Sequence, residues 1–126
     1  MYGNNYTSTS TNEPRKKLTP KQIALLQEFE EYCKSCDYEV RKEVMLNKLF
    51  NTTRKWRADY VLYYLGVALC IVEINGGQWI NGRHNRGGKG YESDLQKSND
   101  SQYEGLDYYQ YTYEMLERQE YKNHIE

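Results

Sequence analysis

Two carboxylates, Asp59 and Glu73, stand equally far on either side of Gly66. The segments that carry them read as adjacent strands, so a hairpin turning near Gly66 would set Asp59 about opposite Glu73, both on one face. The pair beneath them, Val61 and Ile71, is apolar. Two facing carboxylates repel unless a cation meets them, and a carboxylate ending a hydrophobic strand is costly to desolvate alone. A shared Mg²⁺ with its waters would satisfy both. Ordinary pairing is the other reading: Asp59 with Arg57 or Lys55, and Glu73 with an arginine. The residues alone leave the two readings open. After Glu73 the chain turns abruptly polar, through Asn75, Gly76 and Gly77 to Arg83, His84, Arg86 and Lys89. The glycine pair lets backbone leave a sheet without crowding a neighbouring polyanion. A second grouping, Cys33-x-x-Cys36, suggests zinc or redox chemistry, but a structural zinc needs about four ligands. Both cysteines also continue the helical stripe Leu26, Phe29, Cys33, which reads as buried, reduced thiols.

The elements that must position these residues follow from pattern. Thr19-Pro20-Lys21-Gln22 has a capping hydroxyl, a proline at the first helical position and a capping-box glutamine. It predicts a helix to about Lys34 that buries Ile23, Leu26, Phe29 and Cys33. Residues 38–50 predict a first strand with Val40, Val44, Leu46 and Phe50 alternating. Residues 55–62 alternate clearly, Trp56, Ala58, Tyr60 and Leu62 against Arg57, Asp59 and Val61. Residues 63–66 then form a turn. Val67 to Ile74 is apolar on both faces, as a central strand covered on each side should be. Tyr91 to Glu104 predicts a helix stopped by Gly105, with Asp94, Lys97, Ser98 and Ser101 on one polar face and Tyr91 and Leu95 packed inward. A strand over 106–112 and a short helix from Tyr113 to about Gln119 complete one domain, 19–119. Residues 1–18 read as a disordered arm. Residues 120–126 read as a frayed tail in which His124 is inert.

Composition bounds the function. With 126 residues, 38% hydrophobic and 28% charged, the chain is sized for one soluble domain. Fourteen tyrosines against two phenylalanines supply core area with polar tips. The net charge of −1 excludes a uniformly basic protein, but its distribution is uneven. Residues 41–59 hold six bases and two acids, whereas residues 92–126 hold nine acids and three bases. A basic middle permits a local polyanion-binding face. The longest apolar run is too short and too broken to span a bilayer, three cysteines make no even disulfide framework, and from the polar start no secretory leader is expected. An intracellular protein is expected.

The order helix, strand, carboxylate-bearing hairpin, helix, strand resembles the PD-(D/E)XK nuclease superfamily, in its small phage-type, very-short-patch-repair-like branch. The matching pattern is Trp56-Arg57-x-Asp59, then Val72-Glu73-Ile74-Asn75-Gly76-Gly77, Gly82-Arg83-His84, Gly88 and Gly90, Asp94-x-x-Lys97-x-Asn99, and Gly105 before a strand. It covers about residues 20 to 116. The resemblance implies an α/β (α+β) fold with a restriction-endonuclease-like core, a central mixed sheet of about four strands flanked by helices. It implies a DNA phosphodiester hydrolase of processing or repair, dependent on Mg²⁺ or Mn²⁺, with Asp59, Glu73 and the Ile74 carbonyl as metal ligands. Arg57, Arg83, Arg86 and Lys89 would contact nucleic acid, and His84 would orient water or act as general acid. A homodimer or protein partner would help cover two strands, and a phage-encoded protein would work in the bacterial cytoplasm. One position departs from the motif: Asn75 stands where lysine is expected and supplies no positive charge. Lys97, returned by the polar helix, is the candidate replacement; pairing with Asp94 is its plainer role. Two rival functions are an idle nucleic-acid-binding module on the same fold and a tyrosine-rich interaction or inhibitor protein.

Overall fold

The computed structural model describes residues 17–75, 79–80, 83–84 and 89–126. A first helix, α1 (Pro20–Ser35), starts where the capping box predicts. The Thr19 hydroxyl accepts from Gln22 N at 3.1 Å while Gln22 Oε1 accepts from Thr19 N at 3.0 Å. Strand β1 (Glu39–Met45) follows, then β2 (Arg57–Tyr64) and β3 (Val67–Ile74). Two short strands, β4 (Trp79–Ile80) and β5 (Arg83–His84), pair with each other and precede the second long helix, α2 (Lys89–Tyr103). Strand β6 (Asp107–Tyr111) and helix α3 (Tyr113–Glu117) come next, and a 3₁₀ turn over Glu120–Asn123 closes the chain. No helix among the described residues is long and apolar enough to cross a membrane.

The main sheet is mixed and four-stranded, in the order β1-β2-β3-β6. The β1–β2 and β2–β3 pairs are antiparallel and β3–β6 is parallel. This is the α+β arrangement expected. The central place of β3 explains its continuous apolar run, because it is covered on both faces. On one face Cys70 and Val72 join Leu62, Phe29 and Cys33 of α1, Tyr111, Leu116 and Tyr121. On the other, Ile71 joins Val61, Leu46, Ala58, Tyr63 and Leu106.

The β2–β3 hairpin turns through Leu65 and Gly66, both at positive φ, 51° and 82°. Two consecutive residues of that kind make the turn whose twist matches antiparallel strands. The ladder pairs Val61 with Ile71 as expected, and one irregularity between Leu62 and Tyr63 shifts the register near the turn.

Five expectations need correction. The face alternation over residues 55–62 breaks, since Trp56 and Ala58 pack with Val61 while Tyr60 and Leu62 lie in the opposite cluster. The first strand ends at Met45 rather than near Phe50, because Leu46 N turns to bond Trp56 O at 3.0 Å and its side chain enters the core. Ile23 is 44% exposed rather than buried. Helix α2 presents its polar residues to the protein, leaving Tyr91 and Leu95 largely exposed while Ser101 is fully buried. Residues 120–126 are not frayed: Tyr121 and Ile125 lie in the core, and the Tyr32 hydroxyl donates to Ile125 O at 2.6 Å. His124 is likewise engaged, its Nδ1 sitting 2.9 Å from the Tyr111 hydroxyl and its ring stacked on Tyr109. Of the predicted arm, residues 1–16 lie outside the described residues.

Candidate active site

The β2–β3 ladder ends with Tyr60 opposite Val72. The same offset carried one residue further sets Asp59 against Glu73. Beyond that pair the backbone ladder is replaced by a side chain, since Asp59 Oδ2 accepts the Ile74 N–H at 2.8 Å. The N–H and C=O of one strand residue point the same way. The Ile74 carbonyl therefore also faces the β2 side, and the Asn75 N–H, pointing the opposite way, donates to Tyr111 O at 2.8 Å. The strand end thus carries the Asp59 carboxylate and the Ile74 carbonyl on its β2 side, with Glu73 one residue before Ile74.

Glu73 is only 8% exposed. Lys97 reaches it from α2, with Nζ 2.9 Å from Glu73 Oε2, and is itself held by donating to Arg57 O at 2.5 Å. Lys97 is its ion partner, and the Tyr108 phenol of β6 also lies within hydrogen-bonding reach of the Glu73 carboxyl. Burial pushes the Glu73 carboxyl up to about 7; Lys97 opposes the rise, and the charges of Asp59 and Asp94 add to it. Burial therefore outweighs the charge that Lys97 supplies.

Lys97 is aimed by two sets of contacts on α2. On its own helix, the buried Ser101 hydroxyl donates to Lys97 O at 2.7 Å. Nearer the start of α2, Ser93 Oγ accepts from Trp56 Nε1 at 3.1 Å and from Arg54 Nη2 at 2.8 Å. Arg54 also reaches Gln96 Oε1 at 2.9 Å and lies over the Trp56 ring, 4.3 Å from its centroid. This clamp fastens α2 to the segment entering β2.

The other expected site residues fall in different places. Asn75 donates from Nδ2 to Gln110 Oε1 at 2.6 Å, so its amide serves the β3–β6 edge. The Arg57 guanidinium pairs with Glu43 at 3.1 Å. Arg83 and His84 form β5, Lys89 begins α2, and their side chains, like the whole of Arg86, lie outside the described residues. The cysteines are free thiols, and burial pushes Cys33 and Cys70 up to about 12, which suits inert packing.

One further group escaped sequence reasoning. Tyr108 of β6 sits in register with Ile71, and its phenol is driven well above the ordinary tyrosine value by burial first and then by the Glu73 charge. It borders Glu73 only because β6 is parallel to β3, a pairing that no local pattern announces.

Mg²⁺ is commonly held by one or two carboxylates plus waters, so a cage of many acidic side chains is not required. Among the described residues no group of three or more His, Cys, Asp or Glu is gathered for a metal. The pair Asp59 and Glu73, with the Ile74 carbonyl, nonetheless fits such an ion by donor chemistry, because the buried Glu73 carboxyl is desolvated more strongly than Lys97 compensates. Protein-family models, curated proteins and solved structures offer no match to the chain.

Proposed function

We propose that the chain is a divalent-metal-dependent nuclease that hydrolyses DNA phosphodiester bonds on a restriction-endonuclease-like core. The observation that carries this reading is Glu73, a buried carboxylate whose desolvation outweighs the Lys97 charge, set by strand register against Asp59 at the point where two central strands part. Asp59, Glu73 and the Ile74 carbonyl would hold Mg²⁺ or Mn²⁺. When bound, such an ion lowers the pKa of a water and stabilises charge on the phosphate. Lys97 keeps a positive charge within 2.9 Å of Glu73. That is the service that Asn75, turned toward Gln110, does not give. Arg57, Arg83, Arg86 and Lys89 would grip flanking phosphates, and His84 would orient water.

One observation favours a second reading, an idle nucleic-acid-binding module: Lys97 already gives Glu73 an ion partner without a metal. A cleavage assay separates the two. Purified protein with Mg²⁺ or Mn²⁺ is expected to nick or cut DNA among branched, nicked and duplex substrates. Asp59→Ala and Glu73→Ala, shown folded by circular dichroism, are expected to abolish cutting. Equal behaviour of wild type and both variants on every substrate would sink the nuclease reading.

A further inference from the structure

An open cleft of about 410 Å³ adjoins Asp59 and Ile74 on the α1 side of the sheet. That volume lies in the range that holds small organic ligands. Its helical wall is the face of α1 carrying Ile23, Leu26, Gln27 and Glu30, spaced one turn apart. Ile23 is the residue that the apolar stripe predicted to be buried, yet it is 44% exposed, as is Leu18 at the cleft's edge. An apolar wall left open beside a polar floor is what an amphipathic ligand needs.

The charges on the lining disfavour one part of a nucleotide. Among the described residues of the lining, Glu30, Glu43 and Asp59 oppose one cation, Lys42. Lys42 is already 3.3 Å from Glu30 Oε2, which also accepts from the Tyr60 hydroxyl at 2.6 Å. With Glu30 held by Lys42, Glu43 by Arg57 and Asp59 given to the ion, the lining offers a phosphate no unpaired cation among the described residues. A neutral, flat ring with hydrogen-bonding edges needs none, and it could lie on Ile23 and Leu26 with its edge toward Gln27.

We propose that this cleft receives an unpaired nucleobase of the substrate, the one whose phosphodiester lies at Asp59 and Glu73. The proposal rests on the nuclease reading above and extends it to the substrate's form. A base inside a duplex cannot enter a side cleft, so the preferred substrate is single-stranded, or distorted so that one nucleotide leaves the stack.

The test uses full-length protein and oligonucleotides whose cut position has been mapped with wild type. An abasic residue beside the cut is expected to raise KM about tenfold, the scale of losing one base contact. Ile23→Ser, at a half-exposed position that folding tolerates, is expected to raise KM on the intact substrate similarly. The two changes together should cost little more than either alone. Gln27→Ala gives a second, independent variant. Additive losses, or no loss from the abasic residue on either side of the cut, would overturn the proposal while leaving the nuclease reading intact. If wild type cuts nothing, the nuclease reading fails. The cleft is then judged by the fluorescence of 2-aminopurine in a single-stranded oligonucleotide: a change on binding that Ile23→Ser removes supports it, and one that Ile23→Ser leaves unaltered refutes it. A wild-type dimer that Ile23→Ser dissolves would place a second copy in the cleft instead and refute it too.

Discussion

Burial holds the Glu73 carboxyl up at about 7, against 4.5 for the free group, and this has consequences of definite sign. Between those values the folded chain binds more protons than the unfolded one, so stability falls as pH rises. The contribution is fully present below about pH 4.5 and is lost as pH passes about 7, an effect on the order of 3 kcal/mol. Glu73→Gln should remove this slope, so that thermal melts of the variant flatten over that range while wild type declines; identical slopes would contradict it. Because metal needs the ionised form, Mn²⁺ affinity and cleavage should climb toward pH 7 and level off above it. Lys97→Met should move that rise to higher pH, because the opposing charge is gone, and should slow cleavage roughly a hundredfold. A pH–rate profile reads both effects. At this scale part of the candidate site was legible. Hairpin arithmetic gave the register that sets Asp59 against Glu73, and the polar face of α2 pointed to Lys97, which pairs with Glu73. Tyr108 was not legible, because its nearness to Glu73 depends on a parallel pairing between segments far apart in sequence.

At the level of elements, local signals located α1, β3 and the Gly105 stop to within a residue or two, since caps, turns and continuous apolar runs act on neighbouring residues. The inward face of α2 was read the wrong way round. Its polar side is buried because it answers Glu73, Trp56 and Arg54, none of which lies on the helix. Removing the clamp should therefore be felt across α2. Ser93→Ala leaves the Trp56 N–H and part of Arg54 without an acceptor, at a cost of about 1–2 kcal/mol. It should speed amide exchange in α2 more than in α1. The hairpin tip offers the opposite case. Leu65 is 85% exposed and holds φ at 51°, where a branched apolar side chain is disfavoured. Leu65→Asn should raise stability by about 1 kcal/mol, measured as a higher denaturant midpoint with an unchanged slope.

For the molecule as a whole, the end of the chain is part of the core rather than an appendage. Tyr121 packs edge-on against Phe29 at 5.0 Å, and Ile125 and Glu126 accept from Tyr32 and Tyr38. Polar letters around single apolar residues made this segment look frayed; only the assembled groove between α1 and β6 shows where Tyr121 goes. Tyr121→Ala should cost about 3–5 kcal/mol, and a chain ending at residue 119 should fail to show a cooperative melt. The central claim is that the strand end of this mixed sheet is built for a divalent cation. Calorimetric titration with Mn²⁺ at pH 7.5, without nucleic acid, tests it most directly. Wild type should take up Mn²⁺, while Asp59→Asn and Glu73→Gln, both folded, should lose that binding. Wild type that takes up no Mn²⁺, or variants that bind it as tightly as wild type, would contradict the account.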